Sequence, residues 1–174
     1  MYNKILVCGG NGAGKSTLGK ALAQALCFTF MDVEDYYFPQ SDADYKYDVV
    51  HTKEQVNALL LADMKRHQHF VLASVKGNFD EHVRTMFDCA VYVHVPKEVR
   101  MQRVYERSLH KFGDRMLPGG DLYEREKAFV DMVQQRPENE VMESLQVLKI
   151  PIIQLDGTLP VEDNVKKLTK LLSE

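Results

Sequence analysis

Residues 9–16 read Gly-Gly-Asn-Gly-Ala-Gly-Lys-Ser and fit the pattern G-x-x-x-x-G-K-[ST]. That spacing suits the capture of a phosphate chain. Glycines let the backbone curl tightly and turn successive N–H groups toward phosphate oxygens. Lys15 adds an ammonium group that reaches the outer phosphates, and the Ser16 hydroxyl is of the type that ligates Mg²⁺. Gly10, Asn11, Gly12, Ala13, Gly14, Lys15, Ser16 and Thr17 are therefore the candidate nucleotide-binding residues. The positive end of a following helix would face the same anion.

A second constellation is acidic. Asp32-Val33-Glu34-Asp35 follows an apolar run and so stands at a strand end, where sites of α/β proteins form. Phosphoryl transfer to a hydroxyl uses Mg²⁺ and benefits from a carboxylate that accepts the hydroxyl proton. Asp32 or Asp35 suits that base, and Glu34 or Asp32 suits the metal and its water. A third constellation is basic. Arg100, Arg103 and Arg107 recur at i, i+3 and i+7, along one face of a helix, with Arg115 and Arg125 beyond it. Such a face either pairs with Glu98 and Glu106 or closes over a nucleotide as a lid. Arg107 and Arg115 are the preferred phosphate contacts, on a lid of about residues 112–125. Lys76 either meets an anionic acceptor or is a solvated loop lysine. Tyr36, Tyr37, Phe38, Tyr45 and Tyr47 either wall a pocket or pack a loop.

These groups need a scaffold. Residues 4–8 are an apolar run that reads as a buried parallel strand, and residues 18, 22, 25 and 26 recur with helical spacing just after the glycine-rich loop. Further strands are expected over 28–31, 70–74, 90–95 and 152–155. Capping-box patterns at 52–55 and 121–124 predict helix starts, and Pro137 should interrupt the second of those helices. A short helix is expected over 79–86, another from Pro96 to about 111, and a last one over 161–172. Residues 33–51 read as a loop with a short helix, and 112–120 as a mobile glycine-rich segment. Strands alternating with helices imply a parallel sheet covered on both faces.

The bulk composition narrows the classes. The chain has 174 residues, fits one domain over 1–174, and is 45% hydrophobic and 27% charged. A net charge of −3 gives no basic field for nucleic acid. No apolar run is of membrane-spanning length. Three cysteines without metal-type spacing, and a first strand close behind Met1, lead to the expectation of a cytoplasmic protein.

Taken together, these residues resemble the small P-loop kinases: shikimate kinase, gluconate kinase, adenylate kinase and their relatives. The stretch from Gly12 to Lys20 and Phe30-Met31-Asp32-Val33-Glu34 resembles shikimate kinase most, with Asp32 and Glu34 where that family has an Asp-x-Asp pair. The chain departs from shikimate kinases at Val75-Lys76-Gly77-Asn78, where they carry three glycines, and at 55–60, where an acceptor arginine is absent. The run 32–39 is similar to uridine-kinase-like loops. The resemblance implies a three-layer α/β P-loop kinase fold with five parallel strands in the order 2-3-1-4-5. It also implies that Asp156, Gly157 and Thr158 border the adenine. The expected function is ATP- and Mg²⁺-dependent transfer of the γ-phosphate to a small-molecule acceptor, by a monomer or homodimer. The rivals are a nucleoside or nucleotide kinase and a regulator that binds ATP without an acceptor.

Overall fold

β1 (Lys4–Cys8) occupies the middle of a sheet because neither of its faces tolerates water. Ile5 and Val7 face one helical layer, Leu6 and Cys8 the other, and all four are fully buried. The computed structural model, which describes residues 2–39, 45 and 47–173, pairs β1 in parallel with β3 (Phe70–Ser74) and β4 (Cys89–His94). Of the expected loop over 33–51, residues 40–44 and 46 lie outside the described residues. β2 (Thr29–Asp32) adds outside β3, and β5 (Ile152–Asp156) outside β4, giving the expected order β2-β3-β1-β4-β5. The register sets Asp32 beside Ala73, Cys8 beside Ser74 and Tyr92, and His94 beside Asp156. The carboxyl ends of the strands thus share one edge, where an open α/β sheet holds its ligands.

Helices α1 (Lys15–Leu26) and α8 (Val161–Ser173) cover one face through Leu18, Leu22, Leu168 and Leu172. Helices α3 (Lys53–Arg66), α4 (Glu81–Arg84) and α7 (Glu140–Gln146) cover the other through Leu60, Met64, Val83 and Leu145. Three further helices serve the ligand edge: α2 (Val33–Tyr37) directly after β2, α5 (Lys97–Phe112) after β4, and α6 (Tyr123–Gln135). Among the described residues no helix is long and apolar enough to cross a membrane.

Two local expectations shift. The second strand starts one residue later than expected, because Phe28 is spent on closing α1. Its N–H donates to the Ala23 carbonyl at 2.8 Å, behind Cys27 in the left-handed region at φ 57°. Asp32 is both the last residue of β2 and the N-cap of α2. The capping box at 52–55 forms, with Thr52 and Gln55 bonding reciprocally. The one expected at 121–124 does not, since Asp121 takes the Arg115 guanidinium instead and Leu122 precedes α6 without a side-chain cap. Pro137 does interrupt the helical run. Arg136 before it is extended (φ −62°, ψ 132°), as a residue preceding proline prefers to be.

Candidate active site

The loop between β1 and α1 is built to leave amide groups exposed. Gly14 adopts φ 87° and α1 has no side-chain cap, so the first-turn N–H groups of Lys15, Ser16 and Thr17 lack that partner. The Ala13 N–H donates to Gly10 O at 3.0 Å and sets the curl of the loop. Arginines brace it from behind. Arg100 Nε donates to Val95 O at 3.1 Å and its Nη1 reaches Asn11 O at 3.5 Å. Arg103 Nη1 donates to Gly12 O (3.4 Å) and Gly157 O (3.3 Å). Gly12 stands at φ 82°, and a Cβ there would overlap the Arg100 carbonyl oxygen. Gly12→Ala should therefore strain the loop by about 1–3 kcal/mol. A melting temperature lower by roughly 2–12 °C is expected, measured by calorimetry on the free protein.

Lys15 opens α1 directly behind this loop. Burial lowers its pKa, while Asp32 and Glu34 pull it back up, and Arg107 adds to the lowering. Among the described residues Lys15 has no direct ion-pair partner. A desolvated cation on an uncapped helix start, without a direct carboxylate, is a site that fits a polyphosphate. The sign of its pH dependence follows. A bound polyanion raises the Lys15 pKa, so binding takes up a proton between the free and bound values. Affinity for ATP should be flat below the lowered pKa and fall as pH rises through that window. Titration calorimetry in buffers of different ionisation enthalpy reads the proton directly; no uptake at alkaline pH would remove Lys15 from the phosphate contact.

Asp32 Oδ1 accepts the Glu34 N–H at 3.0 Å, which fixes the carboxylate at the mouth of β2. Glu34 Oε1 accepts from Tyr47 Oη–H at 3.1 Å. Burial first, then the Glu34 charge and this hydrogen bond, push the Tyr47 phenol up to about 12, so it stays a donor at neutral pH. Among the described residues no group of three or more His, Cys, Asp or Glu gathers as a metal site. A Mg²⁺ held by Ser16, one or two carboxylates, phosphate oxygens and water needs no such cage.

These groups open on a cavity of ≈ 670 Å³ whose wall includes Asn11, Lys15, Asp32, Glu34, Lys76, Arg107 and Arg136. Its apolar lining comes from two parts of the chain. Tyr37, Phe38, Tyr45 and Tyr47 follow β2, and Ala128, Phe129 and Met132 belong to α6. The tyrosines are anchored to α6. Tyr45 Oη donates to Glu126 Oε1 at 2.6 Å with Glu126 only 2% exposed. Arg125 lies over the Tyr45 ring, 5.3 Å from its centroid, and pairs with Asp48 at 2.6 Å. The Tyr45 and Phe112 rings also pack together, 5.5 Å apart.

Not every expected residue meets at this cavity. Arg107 lines it, whereas Arg100 and Arg103 hold loop carbonyls, so the arginine stripe divides into one site residue and two braces. Arg115, in a 3₁₀ turn (Gly113–Met116), binds Asp121 at 2.6 Å away from the cavity wall. That guanidinium lowers the Asp121 pKa. Asp35 is exposed on α2 and does not line the cavity. Lys76 lines it but forms an ion pair with Glu140. Gly157 packs closely against the Ala13 carbonyl and Val95. The Thr158 hydroxyl and N–H both turn back to Asp156 Oδ1, at 2.6 and 2.8 Å. Sequence reasoning passed over Arg136, whose Nη1 donates to Asn11 Oδ1 at 3.0 Å, and Phe129, three residues before Met132. Its available signal was an apolar i, i+3 pair on a helix that had no evident core to face.

A parallel sheet in this order, with a glycine-rich loop entering α1 and carboxylates at the end of β2, defines the P-loop kinase fold. The chain belongs to the AAA domain family, whose model matches residues 5–144. It is 25% identical over 182 residues to the uncharacterized protein YqaC of Bacillus subtilis (strain 168), with 99% of each chain covered. In fold it is similar to shikimate kinase from Bacteroides thetaiotaomicron, at 20% identity, full coverage of both chains and a TM-score of 0.62. It is also similar to shikimate kinase from Acinetobacter baumannii in complex with shikimate. There the identity is 18%, the coverage 98% of this chain and 92% of that one, and the TM-score 0.56.

Proposed function

We propose that this protein is an ATP- and Mg²⁺-dependent kinase that phosphorylates a small molecule. The carrying observation is the ≈ 670 Å³ cavity joining Lys15 to Asp32. A protein that only sensed ATP would need no second chamber beside the phosphate loop. The first-turn amides of α1 and Lys15 bind the phosphate chain, and Ser16 with Asp32 or Glu34 holds Mg²⁺. The metal, when bound, neutralises charge on the transferring phosphoryl group. Asp32 takes the hydroxyl proton, being the carboxylate fixed at the cavity mouth, while exposed Asp35 is left outside. Arg107 and Arg136 reach the developing negative charge, and Arg100 and Arg103 keep the loop in shape. Arg115 reaches phosphate only by leaving Asp121, in a lid movement of the segment 112–125.

The test is an acceptor screen that follows ADP release with Mg²⁺ present, over sugars, hydroxy acids, nucleosides and nucleoside monophosphates. Saturable stimulation by one class, with its phosphorylated product found by mass spectrometry, is the expected result. ATP hydrolysis that no acceptor stimulates would instead favour the nucleotide-dependent regulator.

A further inference from the structure

Resting on the kinase reading above, we infer that the acceptor carries its hydroxyl on a sugar joined to a flat aromatic ring system of nucleobase type, as a nucleoside or its monophosphate. The cavity is divided by chemistry. Three of its four cations gather near the phosphate loop: Lys15 opens α1, Arg107 is close enough to act on Lys15 as well as on Tyr47, and Arg136 bonds Asn11. Lys76, the remaining cation of the wall, is already balanced by Glu140. A carboxylate-bearing acceptor thus finds no unengaged cation away from the phosphates among the described residues.

The rest of the lining is largely apolar and comes from two segments. Tyr37 and Phe38 come from the end of α2, and Phe129 and Met132 from α6, spaced i, i+3. Met132 remains 44% exposed and Phe129 is half-buried, so apolar surface there stays in water until a ligand covers it. A polyhydroxylated sugar gains little from such a lining. A planar ring gains more, since each base stacked on an aromatic side chain is held by about 1–3 kcal/mol. The volume agrees, since ≈ 670 Å³ accommodates far more than one six-membered ring. In the transfer, an acceptor hydroxyl oxygen bonds the γ-phosphorus and the bond from that phosphorus to the ADP oxygen breaks. ADP leaves with the electron pair, and the hydroxyl proton passes to Asp32.

The chain has no tryptophan and eight tyrosines, so tyrosine emission reports binding directly. Nucleosides and nucleoside monophosphates are titrated with emission as the readout, then tested for ADP release beside cyclic hydroxy acids and hexoses. Quenching and saturable ADP release with at least one base-bearing acceptor, and none with the others, is expected. Relative use of the free and phosphorylated forms separates the two sources of the ring. Phe129→Ala should raise the acceptor KM about 5- to 100-fold, with less than a twofold change in KM for ATP. Phe129→Leu, which keeps the fold packed, should fall between. Stimulation by a hydroxy acid or hexose but no base-bearing compound overturns the inference and leaves the kinase reading standing. So does a Phe129→Ala KM equal to wild type. Absence of ATP binding to the wild-type protein would instead sink the kinase reading itself.

Discussion

Lys15→Met should lose ATP affinity by at least about 100-fold while the empty protein becomes more heat-resistant. The two signs have one cause. A cation about 4 Å from a phosphate oxygen at an effective dielectric near 20 contributes roughly 4 kcal/mol, about three decades in affinity. Without ligand, the same ammonium is desolvated, its pKa lowered, and Asp32 and Glu34 act on it only through space. Folding therefore bears an electrostatic cost at every pH below the lowered pKa, which fades as pH climbs to the ordinary lysine value. Methionine fills the same slender space and carries no charge. Each kcal/mol of relief should raise the melting temperature by about 2–4 °C, and the rise that ATP gives wild type should vanish. Melting curves with and without Mg-ATP read both. A variant that melts lower and still responds to ATP would show Lys15 to be a structural cation.

Asp32→Asn is the cleanest probe of chemistry. Loss of a positioned base typically slows a proton-coupled transfer by 10²- to 10⁴-fold, and kcat should fall within that range. Folding should scarcely change, because asparagine caps a helix about as well as aspartate and can keep the bond to the Glu34 N–H. ATP binding should survive, since the substitution removes a negative charge near the incoming phosphates. Wild-type kcat in this variant would exclude Asp32 as the proton acceptor and direct attention to Glu34.

The sheet was readable from sequence because its determinants are local. A doubly buried strand is apolar along its length, and Ile5 to Cys8 and Phe70 to Ala73 are. The phosphate loop was readable because glycine is needed where φ is positive, as at Gly12 and Gly14. The preference for Arg107 and Arg115 did not separate site residues from braces, because i, i+3, i+7 spacing fixes a face and not what that face meets. Only the tertiary arrangement sends Arg103 to Gly12 and Gly157 and Arg107 to the cavity. Asp121 satisfied a local capping rule yet was drawn off by Arg115, six residues back, in a charge-assisted pair. Arg136 and Phe129 escaped notice since an apolar pair at helical spacing does not say what it faces, and Asp32 lies 97 or more residues away.

The bond from Tyr45 to buried Glu126, beside the Arg125–Asp48 pair, joins the two segments that line the cavity. Its width is thereby fixed before any guest arrives, like callipers locked by paired screws. Selection by size is then a property of the resting molecule, and a change at that fastening would alter which guests fit without touching any group that handles phosphate.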